Sequence, residues 1–360
     1  MAKKGYSRKK KSQLLSFMVV VLLLAAGVFI WRGWFYKPKT LISKTDLDRA
    51  MTAPVAPARA DVTAPTDTGG AGAKPDGAKM PTSTPDSRAV PGPAAASSSP
   101  GGPEKSSAPD SERAAKLFQQ GQAAWQAKNY LAARDALSEA IQIGLPLPQD
   151  QQARQMLNET ADHWLFSRDL FAGDEFCRQY QVAPGDMLVN LQKKFAVPYQ
   201  LLMRINNIEK PGNLTAGQTI KTVQGPFHVV IRQSRYLMSV YLGDVLVRSY
   251  PVGLGQPGRQ TPTGLWRVRL KQENPAWYDA QEGKNYLPND PDNPLGEHWI
   301  ALEGLEGTAK DRTGFGIHGT IKPEEIGHDA SRGCIRLYNG DVRELFDMLI
   351  EGQSLVRVVE

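Results

Sequence analysis

Cysteine is almost missing from this chain: 360 residues hold two, Cys177 and Cys334. A small secreted domain stapled by disulfides uses more of them. These two lie far apart in sequence, so Cys177, in "DEFCRQY", reads as a core residue rather than half of a bridge. Acidic residues are missing from positions 1–44, which carry ten Lys or Arg. The chain as a whole is +6, and setting those ten aside leaves −4 for the rest. A folded part without basic excess excludes a nucleic-acid surface, which needs a basic patch. Short-spaced ligand pairs are lacking too. His318, His328, Asp329 and Cys334 could offer donors to zinc, yet no pair has the spacing typical of such sites, so neither metal nor cofactor is expected.

What the start does contain is one uncharged run, Leu14 to Trp31. It approaches the ~20 residues that cross a bilayer as a helix, and the basic residues ahead of it keep that flank in the cytoplasm. Residues 1–13 thus read as a cytoplasmic basic tail and 14–34 as a single-pass anchor in the cell membrane, with everything beyond it outside the cytoplasm, in the periplasm. A cleaved signal peptide is the alternative. It needs small residues at its cut site, whereas Trp31, Trp34 and Tyr36 stand here, as in an interfacial aromatic belt.

Residues 50–110 are Pro, Ala, Gly, Ser and Thr with scattered charges, too poor in apolar area to fold. As a coil this linker would span about 40 Å, a long leash for the folded part. Residues 111–174 read as helical, with an apolar face through Ala114, Leu117, Phe118 and Gly121, then Leu131, Leu137, Ala140 and Ile141. Gly121, Tyr130, Ala133, Leu137 and Ala140 fall at the spacing of a tetratricopeptide-like helix pair, followed by a lone helix over Asp150 to Asp169. Two readings stand for this segment: a spacer packed on its neighbour, or a docking surface for a protein partner.

Tyr180 to Val223 is more specific. Tyr180, Val182, Pro184, Gly185, Asp186, then Ile205, Asn206, and finally Leu214, Gly217 and Ile220 make this stretch resemble the LysM module, a small βααβ unit that binds N-acetylglucosamine-containing glycans. Gly185 permits a tight turn out of the first strand, and Asp186 can cap the helix after it. The resemblance implies sugar contacts from Gly185, Asp186 and Met187 and from Asn206, Asn207 and Ile208. A spacer that has kept only the fold is the alternative.

From residue 226 to 360 the pattern changes to strands and turns: "FHVVIR", "YLMSVYL", Gly243-Asp244 as a hairpin turn, then "VLVRSYPVGLG". A mostly antiparallel sheet is expected, with a helix only over Asp341 to Leu349. Free cysteine is commonly a buried apolar filler. A nucleophilic one needs a base for its proton and backbone donors for an oxyanion. His298 in "GEHWIAL" and His328 in "IGHDAS" lack a glycine-rich setting, His228 begins a strand, and His163 lies among the helices. In "GFGIHGT", by contrast, His318 ends an apolar segment and Gly319 allows a sharp turn beside the ring.

"TPTG", "NPLGEHWIAL", "GIHGTIKPEEIG" and "SRGCIRLYNGDV" succeed one another in an order similar to that of the YkuD-type L,D-transpeptidase catalytic domain, over roughly residues 226–360. The resemblance implies a β-sandwich with a short helix, Cys334 as nucleophile and His318 as general base. It further implies the Gly319 carbonyl as the group orienting the imidazole, and the Gly333 and Cys334 amides as oxyanion donors. Ser331, Arg332 and Arg336 would lie toward the donor peptide. Arg332 has two readings, a cation favouring the thiolate and a solvated surface residue. The partners implied are peptidoglycan stem peptides and glycan strands. Cys334 would attack a stem tetrapeptide, expel D-alanine and pass the acyl group to an amine in the cell wall. Two alternatives remain: an L,D-carboxypeptidase or endopeptidase delivering the same acyl group to water, and a non-catalytic wall tether. The acceptor side is shaped by Gln272 to Leu295, which reads as a lid without a predictable conformation.

Overall fold

The computed structural model describes residues 108–360; the anchor at 14–34 and nearly all of the linker at 50–110 fall outside the described residues. Three helices come first: α1 (Ala108–Gln126), α2 (Tyr130–Ile143) and α3 (Leu147–Trp164). The Asn129 side chain accepts from the Ala132 amide and caps α2. Gly121 lets α1 and α2 approach closely, because a Cβ there would sit 2.6 Å from the Leu137 side chain. The lone helix expected over 150–169 starts earlier, with Pro148 in its first turn, and stops at Trp164. Just beyond its end the Lys221 ammonium donates to the carbonyls of Trp164, Ser167 (3.0 Å) and Asp169 (2.7 Å). A cation at a helix C-terminus offsets its dipole and satisfies its last carbonyls.

The second unit is βααβ: β1 (Cys177–Gln181), α4 (Leu188–Phe195), α5 (Tyr199–Asn206) and β2 (Thr219–Val223). Its strands pair antiparallel, Cys177 opposite Val223 and Gln181 opposite Thr219. Gly185, at φ +87°, makes the turn after β1. Asp186 does not cap α4, which begins after Met187 without a side-chain cap. Its carboxylate instead accepts from the Ala183 amide at 2.8 Å and the Tyr180 hydroxyl at 2.7 Å, closing the turn on itself.

The third unit is built on one sheet. Its strands are β3 (Phe227–Arg232), β4 (Leu237–Leu242), β5 (Val245–Pro251), β7 (Gly264–Glu273), β10 (His298–Gly307), β11 (Phe315–His318), β13 (Ile335–Arg336) and β14 (Leu355–Val359), ordered β13-β11-β10-β7-β14-β3-β4-β5. The expected sandwich thus resolves as a single ladder of eight strands rather than two separately bonded sheets, with parallel pairs only at β11–β13 and β14–β3. Gly243-Asp244 turns β4 into β5, Gly243 adopting φ +56°. Short pairs link β6 (Leu254–Gly255) to β12 (Asp329–Ser331) and β8 (Trp277–Asp279) to β9 (Lys284–Tyr286). The expected helix is α6 (Asn339–Met348), two residues earlier at its start. It packs through Val342, Leu345 and Phe346 into the same core as Ile300, Ile317 and Ile335.

"FHVVIR" is a near-continuous apolar run rather than an alternating one, and the reason is structural: β3 is covered on both faces. Val229 and Ile231 enter the main core. Val230, with Tyr241 and Leu246, packs under Phe118, Leu137, Met156 and Leu157 of the helical layer. The helices therefore lie against the β3–β5 side of the sheet. Polar ties fix the layer: Arg154 bonds Asp150 at 2.8 Å and the hydroxyls of Ser239 (2.9 Å) and Ser249 (3.1 Å). Glu344 of α6 joins the three units. It accepts from Arg204 of α5 (2.8 Å), and from Arg248 (3.0 Å) and Tyr250 (2.6 Å) of β5, while Arg248 also pairs with Asp162 of α3.

Candidate active site

Parallel pairing of β11 with β13 sets Ile317 opposite Ile335 and His318 opposite Arg336. Because side chains alternate along strands, Gly316, His318, Cys334 and Arg336 fall on one face, opposite the face that buries Ile317 and Ile335. The fold thus brings together two segments that are separate in sequence, and Cys334 and His318 with them.

The turn carrying Cys334 is rigidly tied. The Ser331 hydroxyl donates to the Cys334 carbonyl at 2.6 Å and accepts from the Gly333 amide at 3.0 Å. The Thr261 hydroxyl donates to the Gly333 carbonyl at 3.0 Å and accepts from the Gly255 amide at 3.2 Å. Gly333 adopts φ +114°, and a Cβ there would stand 2.8 Å from the Phe315 ring, so only glycine suits this point. Two expectations change here. The Gly333 amide, expected to face an oxyanion, is committed to Ser331. Ser331, expected toward the substrate, is buried and spends its hydroxyl inside the turn. Thr261, the first residue of "TPTG", braces the turn from another segment, a role its motif did not disclose.

Burial pushes the Cys334 thiol up to about 11, partly offset by the Gly316 amide directed at the sulfur. His318 is buried, and burial, with the Arg336 charge adding to it, lowers its pKa to about 4 against the upward pull of Gly319. Its Nδ1 lies 2.6 Å from the Gly319 carbonyl. A carbonyl can only accept, so Nδ1 carries the proton and the neutral ring leaves Nε2 with a free lone pair. Resting thiol and imidazole are both neutral.

Two residues that sequence reasoning missed hold this ring. Trp299 of β10 pairs with His318, their rings 5.7 Å apart and 32° from parallel, and the indole occupies the space over Gly316, where a Cβ would come within 2.4 Å of it. Asn339, first residue of α6, accepts from the Thr320 amide at 2.9 Å, fixing the turn whose Gly319 carbonyl orients the imidazole. The only available signals were the glycine at 316 and the adjacency of Trp299 to His298 in "EHWIAL".

The YkuD family, described as an L,D-transpeptidase catalytic domain, matches residues 226–358, and the LysM domain matches residues 180–222. The Bacillus licheniformis protein named "Putative L,D-transpeptidase YkuD" is 31% identical over 180 residues, covering 48% of this chain and 94% of that protein. YkuD of Bacillus subtilis is 30% identical with the same coverage. YqjB of Bacillus subtilis is 34% identical over 132 residues, covering 37% of this chain and 71% of that protein. The chain belongs to the YkuD L,D-transpeptidase family. The NMR structure of the catalytic domain from the E. faecium L,D-transpeptidase aligns with 37% of this chain and 95% of that one at 24% identity, with a TM-score of 0.29.

In this L,D-transpeptidase the two remaining arginines of the nucleophile segment have separate surroundings. Arg336 pairs with Glu325, and its Nε is buried without a hydrogen-bond partner. Arg332 donates from Nη1 to both Asp279 oxygens, at 3.0 and 3.1 Å, with its side chain 43% exposed, so of its two expected readings the surface residue describes it, tied there by a carboxylate. Asp279 belongs to the segment read as a lid without predictable conformation, which is an ordered β8–β9 hairpin with Trp277 stacked on Tyr286 at 5.6 Å.

The LysM candidates divide. Gly185 and Asn207 are exposed, as is Met187 at 56%. Asn206 is not available to a sugar: it is buried, its amide donating to the carbonyls of Leu202 (2.9 Å) and Lys221 (2.8 Å) and accepting from the Lys221 amide (2.7 Å). Ile208 is a core residue, and Asp186 is held by its own turn. No described helix is long and apolar enough to cross a membrane.

Proposed function

We propose that this L,D-transpeptidase works through a thioester on Cys334. His318 Nε2 takes the thiol proton as sulfur attacks the carbonyl between the third residue of a stem tetrapeptide and its terminal D-alanine. The C–N bond breaks, His318 returns the proton to the leaving amine, and the acyl group stays on sulfur. The side-chain amine of a second stem then attacks the thioester, giving a cross-link and the free thiol. The observation that carries this reading is the His318 tautomer: with Nδ1–H fixed on the Gly319 carbonyl, a neutral ring keeps Nε2 free to accept. Because thiol and imidazole both rest uncharged, the proton moves during attack rather than before it.

The Cys334 amide remains of the expected oxyanion pair, and the buried Nε of Arg336 is the cationic donor left for a donor-peptide carboxylate. The LysM unit would present glycan through its exposed turn at Gly185 and Met187, with Asn207 beside it. The anchor at 14–34 and linker at 50–110 would place this work in the periplasm. The tetratricopeptide-like helix pair acts as a packed layer, since its apolar face is already taken up by β3–β5; a protein partner would have to use its outer surface.

Intact-protein mass spectrometry after mixing with disaccharide tetrapeptide tests the reading. The expected adduct equals the substrate less D-alanine, lies on Cys334, and is absent from Cys334→Ala. An adduct elsewhere, or cross-linking by the alanine variant, would overturn it.

A further inference from the structure

The segment joining β7 to β10 is fastened beside the active site at both ends. At its near end the Asp279 carboxylate receives Arg332, which stands two residues from Cys334. The same carboxylate, only 5% exposed, also accepts from the Gln281 amide at 2.8 Å, so one buried group both closes the hairpin turn and holds it to the nucleophile segment. At the far end Gly296 lies against Gly319, whose carbonyl orients His318; a Cβ on Gly296 would come within 3.3 Å of the Gly319 Cα. The base between the two fastenings is pinned by the Asn293 side chain donating to the Pro275 carbonyl at 2.8 Å. One strap therefore links the turn that carries the sulfur to the turn that holds the histidine.

We propose that the Arg332–Asp279 pair is a latch holding this strap beside the thioester, and that it sets how the acyl group divides between an amine and water. The inference rests on the acyl-enzyme reading above. In transfer, an amine nitrogen attacks the thioester carbonyl, the C–S bond breaks, an amide forms and the nitrogen's proton passes to sulfur. In hydrolysis, water breaks the same C–S bond and a carboxylic acid leaves. Both acceptors meet one thioester. Only the amine-bearing stem needs a fixed wall to bind against, whereas water needs none. A latched strap favours the amine and keeps water out; an unlatched one loses both advantages. Arg332 is a positioning residue, acting through Asp279.

The test incubates the full-length protein with disaccharide tetrapeptide and follows the ratio of cross-linked dimer to tripeptide by mass spectrometry. Arg332→Ala should lower that ratio about fivefold or more, by a larger factor than it slows thioester formation in the same samples. Asp279→Asn keeps an acceptor oxygen for the turn while removing the charge, and should lower the ratio in the same direction. The double variant should fall no further than Arg332→Ala, because a latch can be opened only once. Arg332→Lys should recover at least half of the loss. A ratio unchanged in Arg332→Ala, one that falls only in step with acylation, or single effects that multiply in the double variant would each overturn the latch. A wild-type protein that shows no adduct on Cys334 would instead remove the acyl-enzyme reading beneath it, and the latch with it.

Discussion

Cys177 lies among charges: Lys221 and Arg134 pull its pKa down, Asp174 pushes it up, and its sulfur is 3.9 Å from the Trp164 carbonyl. Cys334 has a quieter neighbourhood, with the Gly316 amide as the one group lowering its pKa. Burial is the largest influence on both, pushing Cys334 to about 11 and Cys177 far beyond the ordinary thiol range. Nearby cations therefore do not make a nucleophile. Lys221 is spent on three carbonyls, and Arg134 on Asp135 and Asp174. What separates the two thiols is access. Cys177, the first residue of β1, is sealed in the core with Trp164 of the helical layer, while Cys334 is half-buried on a sheet face shared with a neutral imidazole.

The strongest way to press that contrast is at the sulfur itself. Cys334→Ser should cost on the order of 10⁴ in turnover, since a hydroxyl at its free pKa is a far poorer nucleophile, while leaving the unfolding midpoint and sedimentation with purified sacculi unchanged. Turnover within tenfold of wild type would remove Cys334 from the chemistry.

Acid probes the histidines that burial depresses: His298, whose pKa is lowered, and His318 and His228, which are lowered strongly. His318 and His228 both have pKa values lowered to about 4, chiefly by desolvation. In the unfolded chain each takes up a proton near 6.5, so between that pH and about 4 the unfolded state binds more protons and stability falls as pH falls. For His228, buried where its Nδ1 accepts from the Leu355 amide at 3.1 Å, the loss reaches about 3 kcal/mol. Urea midpoints from pH 7 to 4 should show it, and His228→Gln should reduce the slope, leaving the His318 and His298 shares. In the same window kcat/KM should stay flat to about pH 5 and be half lost near 4, as His318 protonates. An acid limb centred near 6.5 would mean that the ring is open to water.

The sequence carried the pieces of this site without their relation. Cys334 and His318 stand in glycine-bounded motifs whose residue types announce chemistry, and the Gly243-Asp244 hairpin and the βααβ order arise from local turn chemistry and periodicity. Trp299, Asn339 and Thr261 stand inside the quoted motifs, yet each acts through a tertiary contact, with His318, the Thr320 amide and the Gly333 carbonyl, that its own motif does not disclose. Ser331 and Gly333 were misread because spacing does not tell which acceptor an amide meets. The Ser331 hydroxyl, two residues away, captures the Gly333 amide before any oxyanion can. Asn206 was misread for a similar reason: a polar residue at a helix end can face solvent or tie its helix to a strand, as Asn206 does to Lys221, and burial decides it. The one helix-layer clue, the unbroken apolar run of β3, was visible but has the same appearance in any strand covered on both faces.

Asn339 offers a smaller effect on activity. Its Oδ1 holds the Thr320 amide, one bond beyond the carbonyl that orients His318, so Asn339→Ala should let that turn drift and cost about tenfold in kcat/KM. Asn339→Asp, which keeps the acceptor oxygen, should recover most of it. An equal loss in both variants would point to the added charge or to packing against Gly319 rather than to the turn.

The smallest effect is expected where the two-cysteine comparison is most exposed to refutation. Cys177→Ala removes one buried sulfur from the core, which should lower stability by about 1 kcal/mol and leave kcat/KM unchanged. Alkylation adds a second measurement. At pH 7 a thiol of pKa about 11 is ionised to only about one part in ten thousand, so iodoacetamide should label native Cys334 slowly, faster as pH rises, and Cys177 only after unfolding. If charge rather than access governed reactivity, the pair of cations beside Cys177 would make it the faster of the two. Labelling of Cys177 ahead of Cys334 in the native protein would then break the comparison, whatever the activity of either variant.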